Sequence, residues 1–492
     1  MDNSLSAQRR EKLARLVELG VNPYPPRVER THTIGDLWAH ESEYAPAALK
    51  VTVTGRVNAM RRHGKIGFAN IQDETGRIQL YVRSDTVGPE AYEVYKLLDL
   101  GDFVQVNGEV CHTQTGEYSV KADTIILLAK SIRPLPTVKE KVVDGQTRRF
   151  DEFSDIELRY RKRYLDLLLN PEVKRDFEIR ARVLNRIRNF LTERGFLEVE
   201  TPIMQPLYGG ANARPFITHH NTLDREMFLR IALELYLKRL IIGGFEKVFE
   251  IGKIFRNEGI DRTHNPEFTM LELYQAYTDF HGIMDLTEAM IRDAAITVLG
   301  TGTVNYKGDE IILDKPWRRE TMKNLVREYT ELADFQPDTV KAFCEAHKIE
   351  LLPAWGVGKM IVEIFEYAVQ PKLIQPTFVT EHPREVSPLA KAIPGNSDWV
   401  ERFELFIGGD EFANAFTELN DPLDQRQRLE AQARLRDLGD VEANVVDEDF
   451  LEAMEYGMPP TGGLGVGIDR LTMLLTGNVT IKDVLLFPQM RD

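Results

Sequence analysis

The feature that most constrains the fold is a change of hydrophobic period along the chain. Between residues 50 and 130 the apolar residues come in short runs, VTVTGRV, IGFANIQD, GRIQLYV, FVQVNGEV and YSVKADTIIL, separated by turns containing Gly and Asp. Within them Ile78, Leu80 and Val82 alternate with Gln79 and Tyr81, the period of a strand with one buried face. After about residue 150 the pattern switches to longer helical stripes mixed with strands.

Five β-rich runs in 80 residues fit a small barrel, and an OB-fold is the natural candidate for residues 50–132. Ahead of it, residues 7–20 predict a short charged helix carrying Leu13, Leu16, Val17 and Leu19 and ending at Gly20. Asn22-Pro23-Tyr24-Pro25-Pro26 then imposes an extended segment, so residues 1–49 are expected to be helical and extended. A polar stretch with Pro134 and Pro136 reads as a linker over 133–165. Residues 166–492 predict a larger α+β domain, with a locally helical, Arg- and Glu-rich insertion at about 315–350.

Hydrophobic residues make up 43% and charged residues 28% of the 492, enough to bury a core. The chain holds 77 acidic against 62 basic residues, a net charge of −15, which argues against non-specific coating of nucleic acid. Two distant cysteines, Cys111 and Cys344, offer neither a disulfide framework nor zinc spacing and point to a reducing compartment. No apolar signal region opens the sequence and no run reaches the roughly 18–20 apolar residues of a membrane span, so a soluble, cytoplasmic protein without membrane association is expected.

Three stretches of the larger domain carry the chemistry. In residues 173–202, Phe177, Ala181, Leu184, Ile187 and Leu191 form a helical stripe ended by Gly195, and Phe196–Glu200 alternates as a strand stopped by Pro202. In residues 247–277, the run FEIGKIFRNE and the run HNPEFTMLELY flank a polar loop. On the second run Phe268, Met270, Glu272 and Tyr274 share one face, a carboxylate and a phenol where a core would want neither. In residues 461–475, GGLGVGIDRL places glycines two apart, where a backbone can approach a ligand closely. Arg470 then stands at the start of a helix, which favours a phosphate.

The order of these stretches resembles motifs 1, 2 and 3 of the class II aminoacyl-tRNA synthetases, and the barrel ahead of them matches subclass IIb (aspartyl, asparaginyl, lysyl). A GxxxxGK[ST] loop and a KMSKS-type loop are both absent. The resemblance implies a class II catalytic domain built on an antiparallel sheet flanked by helices. The sign of the pocket separates the subclass: an aspartate site supplies cationic donors, whereas a lysine site supplies carboxylates to an ammonium group. Glu234, Glu272 and Glu418 are the acidic candidates. Their segments, with GGANARPF at 209–216 and LRYRKRYLDL at 158–167, resemble bacterial lysyl-tRNA synthetases.

That resemblance implies roles. Glu418 and Tyr274 would bind the ε-ammonium of L-lysine, with Glu272 close by. Glu234 and the Gly210 backbone would hold the α-ammonium, and Asn414 and Arg256 the α-carboxylate. Arg256 and Arg470 would be the catalytic cations of ATP-dependent lysyl-adenylate formation. Glu258, His264, Asn265, Phe268, Gly465 and Gly467 would complete the ATP site. Glu404 and Glu411 match the family's metal positions, and about three Mg²⁺ per active site are implied with ATP. In the barrel, Phe68, Gln79 and Glu117 match anticodon-reading positions for tRNA(Lys). Gln79 alternates with Ile78 and Leu80 and so is expected to point outward. Homodimerisation through motif 1 is implied as well. Two departures stand out: Thr263 replaces an Arg common before His-Asn-Pro, and Leu233 replaces a Pro usual before Glu234, expected as a packing difference only. The rival readings are an aspartyl or asparaginyl enzyme, a protein-lysylating paralogue lacking the barrel, and an inactive binding module.

Overall fold

A computed structural model describes residues 3–136, 138–143, 146–151, 153–352, 355–437 and 445–491. The chain divides into two compact units, Met1–Ser154 and Asp155–Asp492.

In the first unit, β1 (Lys50–His63), β2 (Ile66–Gln72), β3 (Arg77–Arg83), β4 (Phe103–His112) and β5 (Tyr118–Ala129) close a barrel in the order β1-β2-β3-β5-β4. The β3–β5 pair is parallel and the others are antiparallel. Alternation is the cause: Val53, Val57, Ile71, Leu80, Val106 and Val120 all point into one core. A helix at Pro89–Leu97, unsignalled by the alternating runs, places Tyr95 against the barrel wall. Gly67 makes room for it, since a Cβ there would lie 2.3 Å from the Tyr95 ring.

The N-terminal helix spans Asn3–Glu18, starting earlier than residue 7. Of its apolar residues only Leu16 is fully buried, while Leu5, Val17 and the following Leu19 are exposed. The segment read as a linker holds an antiparallel hairpin, Val138–Val143 with Gln146–Asp151, and the short helices Ile156–Arg161 and Arg163–Leu169.

The second unit is built on one large sheet. Its strands run in the order Arg318–Thr321, Thr377–Pro383, Asn396–Ile407, Asp410–Thr417, Thr461–Gly467, Glu267–Ala276, Lys247–Phe255 and Leu197–Glu198. The two outermost pairs are parallel and every pair between them is antiparallel. One face is dry: Leu271, Leu273, Leu464, Val466, Ala413, Ala415, Phe403 and Leu405 pack against the helices Pro171–Thr192 and Phe280–Leu299. Each such Leu or Val, fully buried, contributes roughly 1.5–3 kcal/mol.

The buried face of Pro171–Thr192 differs from the expected stripe. Ile179, Val183, Ile187, Phe190 and Leu191 enter the core, whereas Ala181 is exposed and Phe177 only half-buried under the Arg163 guanidinium, 5.5 Å from its ring. Two overlapping stripes have legitimate helical spacing, and the better β-branched knobs won the contact with the sheet. The helical stretch that begins near 315 extends beyond 350: Met322–Tyr329, Pro337–Ala346 and Val357–Ala368 share a satellite core around Leu325, Val340, Ile364 and Phe365.

Candidate active site

The second face of that sheet is wet, and register decides what it carries. Residues paired across neighbouring strands point to the same side. One row reads Glu250, Glu272, Gly465, Asn414, Glu404; the next reads Val248, Tyr274, Gly463, Phe416, Arg402. Met270 pairs Gly467 in a third row. All three pocket-facing positions of the central strand are therefore glycine, flanked by the expected face of Phe268, Met270, Glu272 and Tyr274. The floor has a trough where side chains would stand.

This trough opens into a cavity of about 420 Å³. Gly210, Glu234, Arg256, Glu258, His264, Asn265, Phe268, Glu272, Tyr274, Glu404, Glu411, Asn414, Glu418, Gly465, Gly467 and Arg470 all line it. Thus every residue that the resemblance implied for lysine, ATP or metal in this domain comes to one place. Thr263 lines it as well.

The cavity has two chemically distinct ends. At one end Arg256 sits 5.3 Å from the Phe268 ring centroid, and its backbone N–H donates to Pro266 O at 2.9 Å, closing the polar loop. Burial pulls the Arg256 pKa down, against Glu258, Glu272 and Glu411, so an arriving anion meets a poorly hydrated cation. Arg470 lies in the first turn of the helix Ile468–Thr476 and donates to the Glu411 carbonyl at 2.8 Å and to His264 Nε2 at 3.0 Å. His264 Nδ1 faces Asp261 Oδ2 at 2.8 Å, which assigns the proton to Nδ1 and leaves Nε2 as acceptor for Arg470. Asp469 holds the segment down: it accepts from the Thr269 N–H at 2.7 Å and pairs Arg180 at 2.6 Å.

At the other end stand three carboxylates and a phenol, all nearly inaccessible to solvent. Glu272 accepts from the Leu233 N–H at 3.0 Å and from Tyr274 Oη at 3.3 Å; burial still pushes its carboxyl up to about 7. Burial likewise pushes Glu234, Glu418 and Tyr274 up. Glu418 Oε1 has no hydrogen-bond partner and is pressed against Gly463, where a Cβ would lie 1.9 Å from it. An unpartnered buried carboxylate oxygen beside a cavity calls for a cation.

The Leu233 contact corrects the expectation of a mere packing difference: a proline there has no N–H to give Glu272. Two residues, one on the wet face and one behind the cavity wall, were missed. Arg402 donates from Nε to Asn414 Oδ1 at 3.0 Å and from Nη2 to Glu404 Oε1 at 2.5 Å. It thereby turns the Asn414 amide so that its NH₂ is the free end. Arg402 and Glu404 are two apart on one strand, so alternation was the available signal. Lys238, fully buried between Glu234 and Glu418, was also missed; its i,i+4 spacing from Glu234 was the signal.

In the barrel unit, Phe68 stacks on Tyr81, with centroids 5.3 Å apart and 17° between planes. The cross-strand row Arg61, Phe68, Tyr81, Lys121 forms one outward stripe, in which Tyr81 was not anticipated. Gln79 lies on the same face but is only 7% exposed, with Nε2 donating to Ser119 Oγ at 3.2 Å. This corrects its expected exposure: a partner one strand away covers the amide. Glu117 is exposed in the turn before β5.

The family described as tRNA synthetases class II (D, K and N) matches residues 155–491, and that described as OB-fold nucleic acid binding domain matches residues 51–128. The chain belongs to the class II tRNA synthetases. Among curated members, the lysine–tRNA ligase of Moorella thermoacetica is 52% identical over 493 residues, covering 100% of this chain and 98% of that one. Those of Enterococcus faecalis and Bacillus subtilis are 52% and 50% identical over 491 residues, each covering 98% of this chain and 96% of theirs. No helix among the described residues is long and apolar enough to cross a membrane.

Proposed function

We propose that this class II synthetase is a lysine–tRNA ligase: it activates L-lysine with ATP and transfers it to the 3′ end of tRNA(Lys), releasing AMP and diphosphate. The observation that carries this is how the charges group along the cavity: Glu234, Glu272 and Glu418 act on one another beside Lys238, while Arg256 acts on Arg470, Glu411 and the nearer Glu272. A dianionic or dicationic ligand alone would suit one end only. A joined pair of ATP and a cationic amino acid suits both.

In the first step the lysine carboxylate attacks the α-phosphate, and diphosphate leaves. The protein contributes placement and charge. Arg256 bridges carboxylate and α-phosphate, as a planar guanidinium can. The Asn414 NH₂, aimed by Arg402, takes the other side of the carboxylate. Phe268 stacks on adenine, Arg470 covers its opposite face and holds the γ-phosphate, and the bare backbone at Gly465 and Gly467 admits the nucleotide. Glu418 and Tyr274 take the ε-ammonium and Glu234 the α-ammonium. In the second step a terminal ribose hydroxyl of tRNA, the 3′-hydroxyl, attacks the adenylate carbonyl, and AMP leaves.

Glu404 and Glu411 fit a divalent metal brought by ATP. Both line the cavity, their donors are hard oxygens, and burial together with Glu404 pushes the Glu411 carboxyl up. No cluster of three or more His, Cys, Asp or Glu side chains that could hold a metal exists among the described residues, so Mg²⁺ held by Glu404 and Glu411 would arrive with the nucleotide. The metal would neutralise phosphate charge. The stacked Phe68 and Tyr81, with Gln79 and Glu117 nearby in the fold, suit an anticodon strand. A cytoplasmic homodimer completes the reading.

The test is lysine-dependent exchange of diphosphate into ATP, run beside aspartate, asparagine and the variant Glu418→Gln. Exchange with lysine alone and a loss of at least about 100-fold in the variant are expected, the scale of an unpaired buried ammonium. Equal rates in parent and variant would remove the ε-ammonium contact, and exchange with aspartate would overturn the substrate.

A further inference from the structure

Lys238 is the one cation among the described residues that pairs with two of the three clustered glutamates Glu234, Glu272 and Glu418. It lies on the helix Glu234–Ile242 and is 0% exposed. Its Nζ pairs with Glu234 Oε1, one turn away on the same helix, and with Glu418 Oε2, at the end of the strand Asp410–Thr417. The ammonium also sits 5.5 Å from the Phe416 ring centroid. Glu234 and Glu418 line the cavity, whereas Lys238 stands behind them.

Two buried carboxylates facing one cavity repel each other, and without a cation one of them takes up a proton. A protonated glutamate is a hydrogen-bond donor and does not attract an ammonium group. Lys238 offsets that repulsion from behind the wall and leaves Glu418 Oε1 without a hydrogen-bond partner in a residue that lines the cavity. Burial works against its own charge, but Glu234 and Glu418 outweigh it and hold Lys238 protonated.

The charges then balance. With all three carboxylates ionised, Glu234, Glu272 and Glu418 against Lys238 leave two formal negative charges, matching the two ammonium groups of L-lysine. Other charged and titratable groups facing this cluster are Tyr274 and Glu272 on one strand, Arg402 on another, and Arg256 beyond Glu272. Arg402 is committed to Asn414 and Glu404, and Arg256 acts on Glu272 rather than on the pair that Lys238 joins.

We propose that Lys238 is a positioning residue for substrate selection: a resident cation that clamps Glu234 to Glu418 and favours the ionised, correctly spaced pair that meets the two ammonium groups of lysine. This rests on the lysine–tRNA ligase reading above.

The test uses the full chain in diphosphate exchange over a range of pH. Lys238→Met keeps length and removes charge. Its KM for lysine should rise at least about 10-fold at neutral pH, while kcat at saturating lysine and KM for ATP stay within about 3-fold. The acid limb of kcat/KM for lysine should move to higher pH by about one unit or more. Lys238→Arg retains the charge and should keep the parent's acid limb. Should the Met variant fail to fold, Lys238→Gln carries the same readouts, with thermal melting and ATP binding as controls. A variant with the parent's acid limb and lysine KM overturns the proposal. So does a parallel fall in kcat and in ATP and lysine affinity that Lys238→Arg does not relieve. A parent lacking lysine-dependent exchange overturns the functional reading beneath it instead.

Discussion

Glu272 shows how one residue can trade stability for binding. Burial pushes its carboxyl up to about 7, with Glu234 adding to the shift and Leu233, Tyr274 and Arg256 opposing it. Below that pH it is neutral and no longer attracts a cation, so kcat/KM for lysine should fall as pH drops through about 7, read by diphosphate exchange at fixed ATP. The same shift acts on folding. Its folded pKa lies above the ordinary 4.5, so between 4.5 and about 7 the folded state binds more protons than the unfolded one. Stability therefore declines as pH rises through that window, by on the order of 3 kcal/mol at most. Glu272→Gln should raise the thermal midpoint at pH about 8 and weaken lysine binding at least about 10-fold. Leu233→Pro, which deletes the N–H held by Glu272, should move the acid limb upward. The trough glycines separate similarly. A Cβ on Gly465 meets nothing closer than 3.8 Å, so Gly465→Ala should fold normally and raise KM for ATP. Gly463→Ala collides with Glu418 and Tyr274 and should raise KM for lysine.

At the scale of elements, the helix Ile468–Thr476 is joined to the sheet by Asp469. That carboxylate satisfies the Thr269 N–H of one strand and pairs Arg180 of the helix Pro171–Thr192. Removing it by Asp469→Ala leaves Arg180 without its partner and the amide unsatisfied, a loss of about 3–5 kcal/mol. Denaturant midpoints should fall accordingly. In variant molecules that remain folded, KM for ATP should rise, because Arg470 is the next residue of that turn. The helix stripe taught a related lesson. Phe177–Ala181–Leu184 and Ile179–Val183–Ile187 both have helical spacing, and only the sheet beneath selects between them.

At the scale of the molecule, the barrel and the large sheet each have a complete core, one running from Leu16 to Leu127, the other from Ile179 to Leu485. Units with separate cores fold separately. Residues 155–492 expressed alone should therefore retain lysine-dependent diphosphate exchange and lose most tRNA charging, whereas residues 1–154 should fold into a barrel with neither activity. Circular dichroism, exchange and charging assays check each part.

Local pattern settled much of this protein in advance. Period-two alternation defined the five barrel strands, and the spacing of Phe268, Met270, Glu272 and Tyr274 defined one wall of the cavity, because a strand turns successive side chains to opposite faces whatever surrounds it. Contacts between distant segments were another matter. Which face Pro171–Thr192 buries, what covers Gln79, the Leu233 amide beneath Glu272, the Arg402 grip on Asn414 and the Lys238 clamp on Glu418 all depend on strand order and register. Those bring together residues far apart in the chain, 180 positions in the case of Lys238 and Glu418. A charged side chain reads as solvent-facing in any local window; only tertiary burial, which removes water and demands a partner, makes it part of a site.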